Sequence, residues 1–189
     1  MRISASTNAI VVVLSTLTAS AEEHYSYFRR HGGVPARDSR SLPTDLGVAA
    51  KLVWRRPVAR GHSTPCIHGE FIYLTSQTGR ELATKALDRD TGETLWRRAV
   101  TVEDLERFHR LGGPATCTPA CDGERVFVFF GSYGLICYGV DGRPIWEYKL
   151  GPFQDEYGAN SSPVLAGDLV VLSQDHDVDS FLVALDRRT

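Results

Sequence analysis

Three segments of this chain begin alike, and that repetition limits the fold more than any other feature. They are Ser63-Thr64-Pro65-Cys66-Ile67-His68-Gly69, Cys117-Thr118-Pro119-Ala120-Cys121-Asp122-Gly123 and Ser161-Ser162-Pro163-Val164-Leu165-Ala166-Gly167. Their prolines lie 54 and then 44 residues apart. Each segment closes on a turn (Gly69-Glu70, Gly123-Glu124, Gly167-Asp168), and a β-branched or aromatic run follows: 71–74, 125–130 and 169–172. Such runs bounded by turn residues predict strands. A second shared element comes later in each unit. It is fullest in Ala86-Leu87-Asp88-Arg89-Asp90-Thr91-Gly92-Glu93-Thr94-Leu95-Trp96 and shorter in Val140-Asp141-Gly142-Arg143-Pro144-Ile145-Trp146. Its third copy reads Ala184-Leu185-Asp186-Arg187-Arg188-Thr189. Asp88, Asp141 and Asp186, with Gly92 and Gly142, predict hairpin turns, because Asp bonds its own backbone and Gly accepts positive φ. Gly precedes Trp by four residues in both complete copies, so Trp96 and Trp146 fall on the outgoing strand as large apolar contacts for a neighbouring sheet.

One unit of four short strands cannot bury both faces of its sheet alone. Radial stacking solves this and predicts an all-β fold, a β-propeller of four-stranded antiparallel blades. About three blades of a larger ring are expected, in repeats at about 61–98, 115–149 and 159–189. A sandwich would not need Trp at the same place in each unit. Lys51-Leu52-Val53-Trp54-Arg55 reads as the last strand of a blade, at 51–56, with Trp54 in the docking position. It is expected to complete a final blade whose other strands lie beyond Thr189, so that no strand edge stays open; on this reading 51–189 is an incomplete propeller and the chain an N-terminal fragment. One stretch, Val102 to Arg110, has acids early, bases late and Leu105 and Phe108 on one face, which predicts a helix inserted between blades.

The first 21 residues differ from the rest. Arg2 is the only charge, an apolar run covers 9–17, and Ala19-Ser20-Ala21 offers a small-x-small cleavage site. That order predicts a secretory signal at 1–21, cut after Ala21, and a periplasmic or secreted product. Residues 22–50 form a leader before the first blade. The formal net charge of −2 gives no basic excess for nucleic acid, and no apolar run reaches the roughly 18 residues a membrane span needs.

Taken together, Ala-x-Asp-x-x-x-Gly-x-x-x-Trp after Ser-x-Pro and Gly-Asp/Glu strand starts resembles the tryptophan-docking repeat of the PQQ-like propeller superfamily, over roughly Leu52 to Thr189. Tyr27-Phe28-Arg29-Arg30-His31-Gly32-Gly33 and Leu42-Pro43-Thr44 are similar to the leader of exported propellers of this kind. The superfamily contains BamB-type outer-membrane assembly factors and quinoprotein dehydrogenases. The resemblance implies a binding or scaffolding propeller of the periplasm or cell envelope, with envelope proteins or a small ligand at its axial face and no chemistry of its own; no cofactor is assigned to it. The alternative it implies is a dehydrogenase of alcohols or sugars using PQQ and Ca²⁺; a sensor or carbohydrate-binding propeller is a third. The dehydrogenases often carry a vicinal disulfide, and no adjacent cysteines occur here. Trp54, Trp96 and Trp146 all occupy docking positions, which leaves none as a quinone floor.

Four further features have chemical readings. Asp175, Asp177 and Asp179 alternate and offer hard oxygens to Ca²⁺, but with neither the Gly nor the closing Glu of an EF-hand loop, and they also suit a turn-rich loop. The loop 154–160, with Phe153 and Tyr157, is placed to meet a ligand at the axial face, or to serve structure alone. Cys117 and Cys121 with His109 suggest zinc, but no second ligand pair has metal spacing, and strand alternation would set the two thiols on one face about 13 Å apart. The four cysteines Cys66, Cys117, Cys121 and Cys137 allow three disulfide connectivities; their apolar settings favour small buried hydrophobes. His62 and His68 read as turn or surface residues.

Overall fold

A computed structural model describes Phe28 and residues 52–189. The signal at 1–21 and most of the leader at 22–50 lie outside the described residues. The described chain forms three antiparallel meanders. The first joins β1 (Cys66–His68), β2 (Phe71–Thr78), β3 (Glu81–Asp88) and β4 (Thr94–Thr101). The second joins β5 (Ala120–Cys121), β6 (Arg125–Phe130), β7 (Gly134–Gly139) and β8 (Pro144–Lys149). The third joins β9 (Val164–Ala166), β10 (Leu169–Gln174) and β11 (Phe181–Asp186). Each sheet is a blade whose strands follow chain order, as short hairpin connections require.

The middle blade shows why stacking is needed. Every residue of β7 is buried, and so are 126–130 of β6. Their side chains alternate between two cores. Val126, Val128, Phe130, Ile136 and Tyr138 join Cys66, Tyr73, Leu82 and Trp96 in the core against the first blade. Phe127, Phe129, Leu135 and Cys137 join Val170, Leu172 and Phe153 in the core against the third. A period of two thus feeds both faces of one sheet, and each large side chain removed from water contributes about 1.5–3 kcal/mol. The outer strands differ: in β4 only Trp96 is buried.

The tryptophans tie blade to blade. Trp96 Nε1 donates to the Val140 carbonyl at 2.7 Å, and its ring lies 5.9 Å from Tyr73 and 5.8 Å from Tyr138. Trp54 Nε1 donates to Arg89 O at 2.8 Å, and Trp146 Nε1 to Arg187 O at 3.3 Å. All three acceptors sit at the same place in the next unit, one residue past the β3, β7 or β11 strand end. The pairing skips one residue just before each strand tryptophan: Ala86 faces Trp96 while Leu87 faces Thr94, and Cys137 faces Trp146 while Tyr138 faces Pro144. Such bulges re-aim a side chain, here the indole, toward the neighbouring sheet. Gly142, at φ 81°, lies beneath Trp96, where a Cβ would stand 2.7 Å from the ring. Gly92 lies in the same way beneath Trp54. Residues 52–59 pair with no described strand.

A second tie was not anticipated. Thr64 N–H donates to Thr118 Oγ1 at 3.1 Å, and Thr118 N–H donates to Ser162 Oγ at 2.9 Å. The hydroxyl residue before each repeat proline therefore links inner strand starts in series.

The expected helix over 102–110 is absent. Its amide groups are taken by distant partners: Val102 N–H bonds Arg80 O at 3.1 Å, Glu106 N–H bonds Ser132 Oγ at 3.0 Å and His109 N–H bonds Tyr157 O at 3.3 Å. A nine-residue helix is marginal alone, and these tertiary bonds replace its internal ladder.

Candidate functional site

The connections gather at two opposite ends of the blades. The hairpin end holds the β1–β2, β3–β4, β5–β6, β7–β8 and β9–β10 turns, where the repeat aspartates act. Asp88 Oδ1 accepts from Asp90 N, Thr91 N and Thr91 Oγ1 at 2.7–3.0 Å, and these bonds hold its carboxyl below the usual range. Asp141 Oδ1 accepts from Arg143 N at 3.0 Å, and Asp186 Oδ1 from Arg188 N at 2.7 Å. Asx turns of this kind fix the hairpins and engage these carboxylates structurally.

The other end gathers the β2–β3 turn and four longer connections: β4–β5 (102–119), β6–β7 (131–133), β8–β9 (150–163) and β10–β11 (175–180). Here a cleft of about 420 Å³ is lined in part by Leu105, Glu106, Phe153, Gln154, Asp155 and Asp177. Glu106 is its buried acid, 3% exposed. Its Oε1 accepts from Ala159 N–H at 3.1 Å, and its Oε2 accepts from the Ser132 hydroxyl at 3.1 Å. Gly131 gives the carboxylate its room, since any Cβ there would collide with Oε2. Burial pushes the Glu106 carboxyl up to about 7, although both hydrogen bonds act in the opposite sense. Three connections thus meet on one side chain. The helical reading of 102–110 hid it; the available signal was an acid flanked by Leu105 and Phe108 on a segment with few apolar alternatives.

The sequence candidates are placed as follows. Phe153 belongs to the core, 4% exposed, with its ring 4.5 Å from His176 and 6.4 Å from Phe129; it is primarily a packing residue rather than a free ligand platform. Tyr157 is 56% exposed, with its ring 5.8 Å from His109. Asp175 Oδ1 accepts from the Ser180 hydroxyl at 3.3 Å, Asp177 N–H bonds Gln154 O at 2.8 Å, and Asp179 has φ 54°. Among the described residues, no three His, Cys, Asp or Glu side chains stand together as a metal site. The expectation that Cys117 and Cys121 share a face is corrected. Cys117 packs in the core toward the third blade and Cys121 in the core toward the first, because regular strand begins only at Ala120. None of the four buried thiols is in a disulfide, and burial is the main cause that raises each of them well above the ordinary range. His62 N–H bonds Ala115 O, and the His68 ring lies over Gly123.

A quinone with Ca²⁺ needs an open aromatic floor and converging hard oxygens. The described residues do not fit that group: each tryptophan has its indole N–H bonded to the next repeat's backbone, and the acids do not converge.

These blades, docked through tryptophan onto the next sheet, define a β-propeller of PQQ-like repeats. The chain belongs to the family whose model is described as outer membrane protein assembly factor BamB, matched over residues 80–189. Solved structures with a similar fold include a europium-containing methanol dehydrogenase, at 17% identity and TM-score 0.54, covering 70% of this chain and 24% of that one. BamB from Moraxella catarrhalis is similar at 16% identity and TM-score 0.50, covering 71% and 36%. The quinohemoprotein alcohol dehydrogenase ADHIIG from Pseudomonas putida HK5 is similar at 18% identity and TM-score 0.51, covering 69% and 19%. The chain therefore spans at most 36% of any of the three. No curated protein matches it.

Proposed function

We propose that this chain is part of an exported binding or scaffolding propeller of the cell envelope, and that it meets a partner protein through the loop end of its blades. One observation carries the reading. The tryptophans, cysteines and repeat aspartates are engaged in building and joining blades, whereas the loop end presents a cleft beside exposed Tyr157 and Val178. Exposed aromatic and apolar groups within a polar rim are what protein interfaces use. Membership of the assembly-factor family supports the reading, as does the export signal expected at 1–21. The docking of Trp54 on the first blade supports reading 51–56 as the outer strand of a further blade.

The test is photocrosslinking in the native host with the full-length protein, carrying a photoreactive residue at position 157 or, as control, at position 90 on the hairpin end. Discrete envelope-protein adducts from 157 alone are expected. Equal labelling from both ends removes the loop-end assignment. Oxidation of an alcohol or sugar that requires added PQQ and Ca²⁺ would replace the scaffold by a dehydrogenase.

A further inference from the structure

The Glu106 carboxyl is poised to do more than fill space. It joins the β4–β5, β6–β7 and β8–β9 connections, through its own N–H on Ser132 Oγ, Ser132 on Oε2 and Ala159 N–H on Oε1. As a neutral acid it carries no charge to desolvate: Oε1 still accepts from Ala159, and an Oε2 proton can turn to Ser132 Oγ, whose own hydrogen then turns away from the carboxyl. As an anion it has two donors, and among the described residues it forms no ion pair. The charged groups around it do not supply the missing cation. From its own connection Arg107 lines the cleft, but the other connections add Asp155, Glu156 and Asp177, all acidic. Cys117, buried next to it, is raised further by its charge. Lys149 borders the adjoining groove with Ser132 but sits 3.1 Å over the Tyr133 ring and 3.5 Å from Glu147. His176 Nδ1 accepts from Gln154 N–H at 3.0 Å, and its ring stacks between Phe153 and Phe181.

We propose that Glu106 is a pH-sensitive pin of the loop end: with its proton it locks the β8–β9 connection to the blades, and on losing it the connection loosens and the cleft opens. The upward displacement of its titration by burial supports this by placing the change near neutrality. The mechanism needs only the proton, released to solvent, and an uncompensated buried charge.

Amide exchange of the full chain at pH 5.5 and 8.5, corrected for chemical exchange rates, reads the pin directly at the Ala159 N–H. Its protection is expected to fall more than ~10-fold at the higher pH, as about one pKa unit of differential interaction or more implies. In Glu106→Gln, which keeps an acceptor for Ala159 and a donor for Ser132, protection is expected to be the same at both. A flat wild-type profile, or an equal fall in the variant, overturns the proposal. Should the variant not fold, the ¹³C carboxyl resonance of Glu106 in the wild-type chain decides: titration near neutrality supports the pin, and titration in the ordinary carboxylate range overturns it.

Discussion

At the scale of single residues, glycine and tryptophan show that one docking site can be sensitive for two different reasons. Gly142 has both positive φ and an indole against its Cα, while Gly167 has positive φ and open space around it. Gly142→Ala is therefore expected to cost several kcal/mol, combining strain with overpacking, and Gly167→Ala only about 1 kcal/mol. Chemical denaturation of the two variants in parallel checks the ranking; equal losses would mean that the ring yields. Trp96→Phe keeps most of the apolar contact but strands the Val140 carbonyl, and a loss of about 1–3 kcal/mol is expected. The same experiment measures it.

Between elements, the Thr118 side chain accepts from one blade while its backbone donates to the next. Thr118→Val leaves the Thr64 N–H without its acceptor, in a part-buried setting, and should cost about 1–3 kcal/mol. Ser162→Ala should do the same to the Thr118 N–H, with the two losses adding if each bond is independent. Glu106 acts at this scale too, through stability. Its folded carboxyl titrates at about 7, against 4.5 for the unconstrained group. The folded state therefore holds the proton more tightly between those values, and stability falls as pH rises from about 4.5 through 7. The integrated loss is on the order of 3 kcal/mol. Melting curves from pH 4.5 to 8 should show that decline in the wild type and not in Glu106→Gln.

For the described blades as a whole, two buried cores of alternating side chains hold three sheets together, and all four thiols lie inside them. Their raised thiol titration, caused mainly by burial, makes the thiolate scarce at neutral pH. Iodoacetamide should label none of them in the folded protein and all four after unfolding, and reductant should leave the melting temperature unchanged. Labelling of Cys121 under native conditions would show that the first and second blades separate readily.

The blades were legible in the sequence because their signals are local. Asp88, Asp141 and Asp186 make turns with residues two or three positions away, and the spacing from Gly142 to Trp96's counterpart Trp146 repeats that from Gly92 to Trp96. The fold class therefore followed from period, turn chemistry and the recurring tryptophan. The hydroxyls before the prolines were visible in the same repeats, but their role depends on a bond 54 or 44 residues away. The loop end was not legible for that reason. The polarity of 102–110 satisfies helix rules, yet its amide groups find Arg80, Ser132 and Tyr157, and Phe153 turns inward onto Phe129. Sequence by itself determined the repeating unit, since turns and strand alternation are nearest-neighbour physics. Only the tertiary structure decided which acid is buried and where the cysteines face, because desolvation is set by residues far away in the chain.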